Sequence, residues 1–428
     1  MRDAEIDEGA GHIGFDDALR MILASTSPAK TAVLSLAFCT GYVSANDVFA
    51  LVNSPTDNVS LKDGFAVKAH DVEKASPQHP IKLKILGSVF AGSNFKGQLA
   101  DGQAVQVCSG SPVPAGADGV VSAEFCQEVD SEVHIKAGTE RGRNIFHAGD
   151  DVRAGTLVLE KRKVILPARI GLIAAAGISH LEVYKKPRVC LIAIGDEVIA
   201  LGQTLKEGQL YASNLVSTEA WLSCFGIPYT TTITADTIDS IKSELLRAFP
   251  EVDAIITSGG AWQSERDLIV RVLDGLSWRK IFHHVRMGPG KGMAFGVWRD
   301  KPVFCLPGGP PSNEMAFLQL ALPGILNMSG LTGNPLQTVS AELTQDVKGR
   351  HRAWTEFKKV KLDCDENGNY SVTPYFETSR LKSMADSSGL VCKPEGVDLL
   401  YRGQIIDVQL MIPSFAGISI RDPMQYPL

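Results

Sequence analysis

Residues 302–317 read PVFCLPGGPPSNEMAF. The apolar run Val303-Phe304-Cys305-Leu306 has the composition of a buried strand, and Pro307-Gly308-Gly309-Pro310-Pro311 cuts it off. An apolar helix is expected from Ser312-Asn313-Glu314 to about Leu326, with Ser312 or Asn313 as its cap. Glycine lets backbone come close to a ligand, and proline suits a first helical turn, where its missing N–H would be unpaired anyway. The order strand, glycine turn, helix presents free amides beyond the carboxyl end of a strand, which suits an anion. Alone, such a turn is more often a plain connection than a binding loop. Its neighbours decide.

Upstream, the same rhythm repeats from Pro187. Strands are expected at 189–194, 229–233, 254–257 and 280–285, with a further piece at 293–297, and helices at 213–225, 238–249 and 265–276. Such alternation specifies a mostly parallel α/β sheet with helices on both faces. Outside it the texture changes. Residues 15–40 carry helical spacing that includes Val33-Leu34 and Leu36-Ala37-Phe38, interrupted by Ser27-Pro28 and stopped by Gly41, and helical spacing returns at 167–176. Residues 50–142 read as short strands and turns, as does the chain beyond Gly333. The expected units are a split helical linker domain (1–49 plus 143–186), an all-β insert domain (50–142), the α/β domain (187–333) and a C-terminal β domain (334–428).

The length of 428 residues is in keeping with about three domains. Hydrophobic content of 44% with 21% charged residues is that of a soluble globular protein. The net charge of −6 and the lack of a basic cluster argue against nucleic acid. No apolar run is long enough to span a membrane, and the acidic start MRDAEIDEGAGHIG is unlike a targeting peptide. Eight scattered cysteines without a C-x-x-C read as reduced core residues, so a cytoplasmic location is expected and zinc is not.

In an open parallel sheet, ligands bind beyond the carboxyl ends of the strands. Four expected strand ends here carry polar or glycine-rich turns: Gly195-Asp196-Glu197, Ser258-Gly259-Gly260, Gly288-Pro289-Gly290-Lys291-Gly292 and Leu306-Pro307-Gly308-Gly309. Asp236 follows a fifth strand and Asp267 opens a helix. Glycine amides and Lys291 can hold phosphate oxygens. Glu197, Asp236 and Asp267 would repel a phosphate unless a hard cation such as Mg²⁺ sits among them. The bland readings are helix caps for Asp236 and Asp267, a solvated Glu197 and a surface Lys291.

Outside the sheet, Lys62-Asp63-Gly64-Phe65-Ala66-Val67, Ser109-Gly110-Ser111-Pro112-Val113-Pro114 and the stretch from Arg143 to Asp150-Asp151 are each ordinary turns taken singly. In this order, with IGDEV at 194–198, YASN at 211–214, TSGG at 257–260 with Asp267, PGKG at 289–292 and LPGGPPS at 306–312, the chain resembles the molybdopterin molybdenumtransferase family, the MoeA and gephyrin E-domain proteins. The ordered set spans nearly the whole chain from about residue 12.

The resemblance implies an elongated homodimer with a dimerising linker, a MogA-like pterin-binding α/β domain and a C-terminal β-barrel. It implies insertion of molybdate into adenylylated molybdopterin, with Mg²⁺-assisted hydrolysis releasing AMP and molybdenum cofactor. Matched position by position, it assigns reaction chemistry to Asp63, Ser109, Asp150, Asp151, Glu197, Asp236, Asp267 and Lys291, with Glu197, Asp236 and Asp267 on the metal. Asn214, Ser258, Gly259, Gly260, Gly290, Pro307, Gly308, Gly309 and Ser312 would hold the pterin nucleotide. Asp63, Ser109 and Asp151 would reach the site from the second subunit. A MogA-type adenylyltransferase and apo-molybdoenzymes are the implied partners. Lys62, Phe146, Gly288, Trp262 and Ser264 depart from the family pattern; Phe146 and Gly288 replace basic residues, for which Lys62 and Arg266 are the nearby substitutes. A paralogue using tungstate, a pterin-binding scaffold that delivers cofactor, and a free-standing adenylyltransferase are the alternatives. In the C-terminal domain, Arg350 or Arg352 and Ser379 or Ser383 match family positions approximately.

Overall fold

A computed structural model describes residues 11–28, 30–93, 95–260, 268–375 and 380–413. Six strands form the central sheet in the order Tyr229–Thr234, Val189–Ile194, Ala254–Ser258, Lys301–Leu306, Ala294–Trp298 and Arg279–His283. The first four are parallel, and each of the last two runs antiparallel to its neighbour. Side chains alternate between two cores. Val189, Leu191 and Ala193 face one core with Leu222 and Leu318, and Cys190, Ile192 and Ile194 face the other with Ile241 and Leu273. Burying each large aliphatic side chain contributes roughly 1.5–3 kcal/mol, so the sheet is held from both faces.

The helix after Leu306 begins at Pro310, with Gly309 as its N-cap rather than Ser312 or Asn313. The buried Asn313 amide instead donates to the Pro307 carbonyl and to Ser258 Oγ, at 2.9 and 3.0 Å. The helix passes through a π-helical turn at Phe317–Ala321 and continues as Leu322–Met328. The N-terminal helix Phe15–Ser25 lays Ala18 and Ile22 against this element. Gly324 permits the contact, because a β-carbon there would stand 2.6 Å from Ile22 Cγ2.

Two expectations change. Residues 33–38 are not helical: Thr31–Ser35 is a strand paired antiparallel with His180–Tyr184, followed by one 3₁₀ turn at Leu36–Phe38. Non-local pairing overrides the local spacing. The expected strand at 280–285 is two. Arg279–His283 stays in the central sheet, His284 adopts φ 71°, and Val285–Gly288 leaves to pair with Thr355–Cys364.

That second sheet is the C-terminal one. Thr355–Cys364 pairs with both Tyr370–Pro374 and Gly389–Lys393, and the circuit closes through Leu336–Leu343 and Ile405–Pro413 into a barrel-like sheet. The insert carries a separate six-stranded sheet from Gly64–Val67 to Glu132–Ile135. Among the described residues no helix is long and apolar enough to cross a membrane.

Candidate active site

Three glycine or acidic turns meet beyond the carboxyl ends of the parallel strands, around a cavity of about 510 Å³ lined by Glu197, Asp236, Asn214, Ser258, Gly259 and Gly308. Gly260 and Gly309 line it too. Gly259 has φ +95°, and a β-carbon on it would lie 2.4 Å from the Ile194 carbonyl oxygen, so only glycine fits. Its N–H donates to the Leu306 carbonyl at 3.1 Å, joining two of the turns. The Asn214 amide donates to the Gly308 carbonyl at 2.8 Å. Asn214 and Asn313 therefore fix the turns from either side of Ser258.

The carboxylates come from adjacent strands. The Asp236 N–H donates to Asp196 Oδ1 at 3.1 Å, which ties the two strand ends together. Thr237, not Asp236, caps the helix Ile238–Ala248, accepting from the Ser240 N–H. The bland reading of Asp236 as a cap thus fails. Glu197 folds back over Gly195, where a β-carbon would meet its Oε2 at 2.7 Å. Two carboxylates on one rim are a hard-oxygen set suited to Mg²⁺, which commonly takes one or two carboxylates and completes its shell with water and substrate phosphates. Asp267, the third expected ligand, lies outside the described residues, as do Trp262, Ser264, Arg266 and Ser379. The trio of metal-ligating side chains gathered among the described residues is His70, Asp71 and Asp101, on the insert.

The other expected residues are elsewhere. The rim carries three turns rather than four, because the 289–292 turn follows the strand that leaves for the barrel. Lys291 lines a second cavity of about 700 Å³, and its ammonium sits 5.4 Å from the Trp354 ring centre. Lys348, Arg350, Lys358 and Lys359 line the same cavity with Glu356, so its lining is net cationic. Gly290 packs against Met287, and Pro307 and Ser312 are not among the residues lining the first cavity.

Two residues the sequence did not flag support the wall of the cationic cavity: Glu356, which lines it, and Lys393, whose ammonium is 3.8 Å from the Glu356 carboxylate. Lys393 is fully buried and donates to the carbonyls of Trp354, Val397 and His351 at 2.8, 2.8 and 3.1 Å. Buried Glu356 accepts from the Arg350 and His351 amides at 2.6 and 3.0 Å and from Lys358 at 2.8 Å. Burial raises the Glu356 carboxyl, but the Lys358 hydrogen bond and the two amides outweigh it, and its pKa is held below the ordinary range. The signal that was available is a lysine closing the apolar strand GLVCK, usually the mark of a solvated end.

The insert motifs knit into one exposed patch. Asp63 Oδ1 accepts from the Ser109 N–H at 2.8 Å, and the Leu61 N–H donates to the Asn144 carbonyl. Val59–Ser60 pairs with Ile145–Phe146. Asp150 accepts from the His147 N–H at 2.8 Å, and Asp151 is exposed beside it. None of Asp63, Ser109, Asp150 or Asp151 lines either cavity.

A mostly parallel α/β sheet with a cavity of glycine turns and carboxylates at its carboxyl edge, joined to a barrel-like sheet, defines a multidomain protein of the MoeA-like fold class. Residues 13–177 match the family model described as the MoeA N-terminal region (domain I and II), and residues 190–327 match the probable molybdopterin binding domain. The chain is 31% identical over 363 residues to molybdopterin molybdenumtransferase 2 of Mycobacterium tuberculosis, covering 83% of this chain and 89% of that one. It is 26% identical over 396 residues to the molybdopterin molybdenumtransferase of Staphylococcus aureus, covering 92% and 94%. A solved molybdopterin biosynthesis MoeA protein from Pyrococcus horikoshii superposes with a TM-score of 0.79 at 28% identity, over 93% of this chain and 99% of that one. The chain belongs to the molybdopterin molybdenumtransferase family.

Proposed function

We propose that this protein is a transferase of molybdenum cofactor biosynthesis that inserts molybdate into adenylylated molybdopterin and releases AMP. The observation that carries the reading is the convergence of Glu197, Asp236 and the Gly259 and Gly308 turns on one cavity. The Gly308 and Gly309 amides hold phosphate oxygens of the substrate. Glu197 and Asp236, with Asp267, would hold Mg²⁺, which would supply neutralisation of the phosphoanhydride and polarisation toward water. Asn214 and Asn313 keep the amides aimed, so little reorganisation accompanies charge build-up on phosphorus. Water adds to the phosphorus, the phosphoanhydride bond breaks, and AMP leaves.

The cationic cavity is the place for the oxyanion. Its five cations outnumber the Glu356 carboxylate that pairs with Lys358, and the surplus attracts a dianion that the chain's net charge of −6 would repel. Lys348, Lys358 and Lys359 make up for the basic residues replaced by Phe146 and Gly288. The exposed patch with Asp63, Ser109, Asp150 and Asp151 completes the site of a second subunit in a homodimer. The four-domain division given above, a cytoplasmic location, a MogA-type adenylyltransferase upstream and apo-molybdoenzymes downstream complete the reading.

The test is AMP release by the purified protein from adenylylated molybdopterin with Mg²⁺, run with molybdate and tungstate in parallel. Release stimulated by molybdate is the expected result. Stimulation by tungstate alone reassigns the oxyanion, and tight pterin binding without AMP release favours a scaffold.

A further inference from the structure

Glu314 lies on the helix Pro310–Ala316, directly behind the turn that lines the first cavity. It is 9% exposed, and its Oε2 is buried without a hydrogen-bond partner. The charged group whose field reaches it is Lys359. That lysine lines the cationic cavity and donates to Ser383 Oγ at 3.2 Å, and Ser383 is itself buried. Glu314 therefore lies on the helix that begins at one cavity, and the helix Arg380–Ala385, whose Ser383 holds the lysine lining the other, packs on it.

We infer that Glu314 is a positioning residue that switches the cationic cavity: neutral, it leaves the Lys359 ammonium to the oxyanion, and ionised, it pairs with Lys359 and withdraws that charge. The inference rests on the cationic cavity being the oxyanion site. A buried carboxyl with no donor is least costly when protonated, whereas its ionised form is stable only by drawing in a cation. Burial raises the Glu314 carboxyl to about 7, with Lys359 opposing, so the change falls within the physiological range. Burial lowers the Lys359 ammonium and the Glu314 charge opposes that, so ionised Glu314 holds Lys359 more firmly in its charged form. The helix Arg380–Ala385 packs against the same element and brings Arg380 and Lys382, both exposed; the helix Ser213–Cys224 brings Glu219, half-buried. His351 stands in the cavity wall.

The sign follows. Below pH 7 Glu314 is neutral and the cavity keeps its full charge; above it the cavity loses one cation. Titration calorimetry of inorganic molybdate into the full-length protein, from pH 6 to pH 8, reads this directly, since molybdate is a dianion throughout. The wild type is expected to weaken about tenfold across that range, the size of one charge-assisted contact. Glu314→Gln should hold the tight value at both ends, and Lys359→Met the weak value at both ends. Thermal melts confirm that each variant is folded. A wild-type slope kept by Glu314→Gln means that another group titrates and overturns the inference; a slope persisting in Lys359→Met overturns it equally. Binding that is tight and flat in the wild type removes Glu314 as a switch but spares the cavity. Absence of binding at every pH removes the oxyanion reading of the cavity and the switch with it.

Discussion

Glu197→Gln combined with Asp236→Asn is expected to lower AMP release by about a thousandfold or more, with the fold unchanged. Both substitutions keep volume and remove charge. The backbone ties survive, because the Leu210 N–H donates to the Glu197 carbonyl and the Asp236 N–H donates to the Asp196 side chain. What is lost is the means of holding a divalent cation against a phosphoanhydride. The single variants should fall in between, and raising Mg²⁺ should recover part of the rate in each, since a weakened site refills by mass action. Rates measured from 1 to 50 mM Mg²⁺, taken here as roughly the range that refills a weak carboxylate site, check this. A double variant with wild-type turnover would show that these carboxylates do not carry the chemistry.

Lys393→Met should destabilise the C-terminal sheet by about 3–5 kcal/mol, the usual cost of removing one partner of a buried charged network. The methionine fills similar space but offers no donors. Four carbonyls lose their hydrogen bonds, and Glu356 loses the ammonium 3.8 Å away. The lysine stem also runs beneath Gly349, where a β-carbon would stand 2.6 Å from Lys393 Cδ. Because the Arg350 and His351 amides hang on Glu356, the wall of the cationic cavity should loosen with it. Calorimetric unfolding gives the stability loss, and molybdate affinity gives the effect on the cavity. A shift below about 1 kcal/mol, typical of a surface pair, would mean the network is not holding the wall.

Much of this architecture was legible because it is local. Each buried strand is a short apolar run ended by a turn, as at Val189–Ile194 and Gly195, and the alternation with helices specified a parallel sheet. The convergence of Glu197, Asp236, Gly259 and Gly308 followed from a rule of such sheets. The failures are non-local. Thr31–Ser35 is a strand only because His180–Tyr184 lies beside it. The 289–292 turn left the rim because Val285–Gly288 finds its partner in Thr355–Cys364, a pairing no spacing encodes. Lys393 and Glu356 escaped notice for a related reason: a buried ion is recognisable only once the carbonyls and amides that surround it are known. Glu314, read as the opening of a helix, proved to be an uncompensated buried carboxyl.

Glu197 and Asp236 would hold the divalent cation that the proposed reaction uses. Crystals grown with AMP and Mn²⁺ in place of Mg²⁺, with data collected at the manganese edge, test it most directly. An anomalous peak between the Glu197 and Asp236 carboxylates, with a phosphate oxygen as a further ligand, is the predicted result. Manganese bound elsewhere, with those carboxylates turned to solvent and the glycine turns filled by protein side chains, would contradict it.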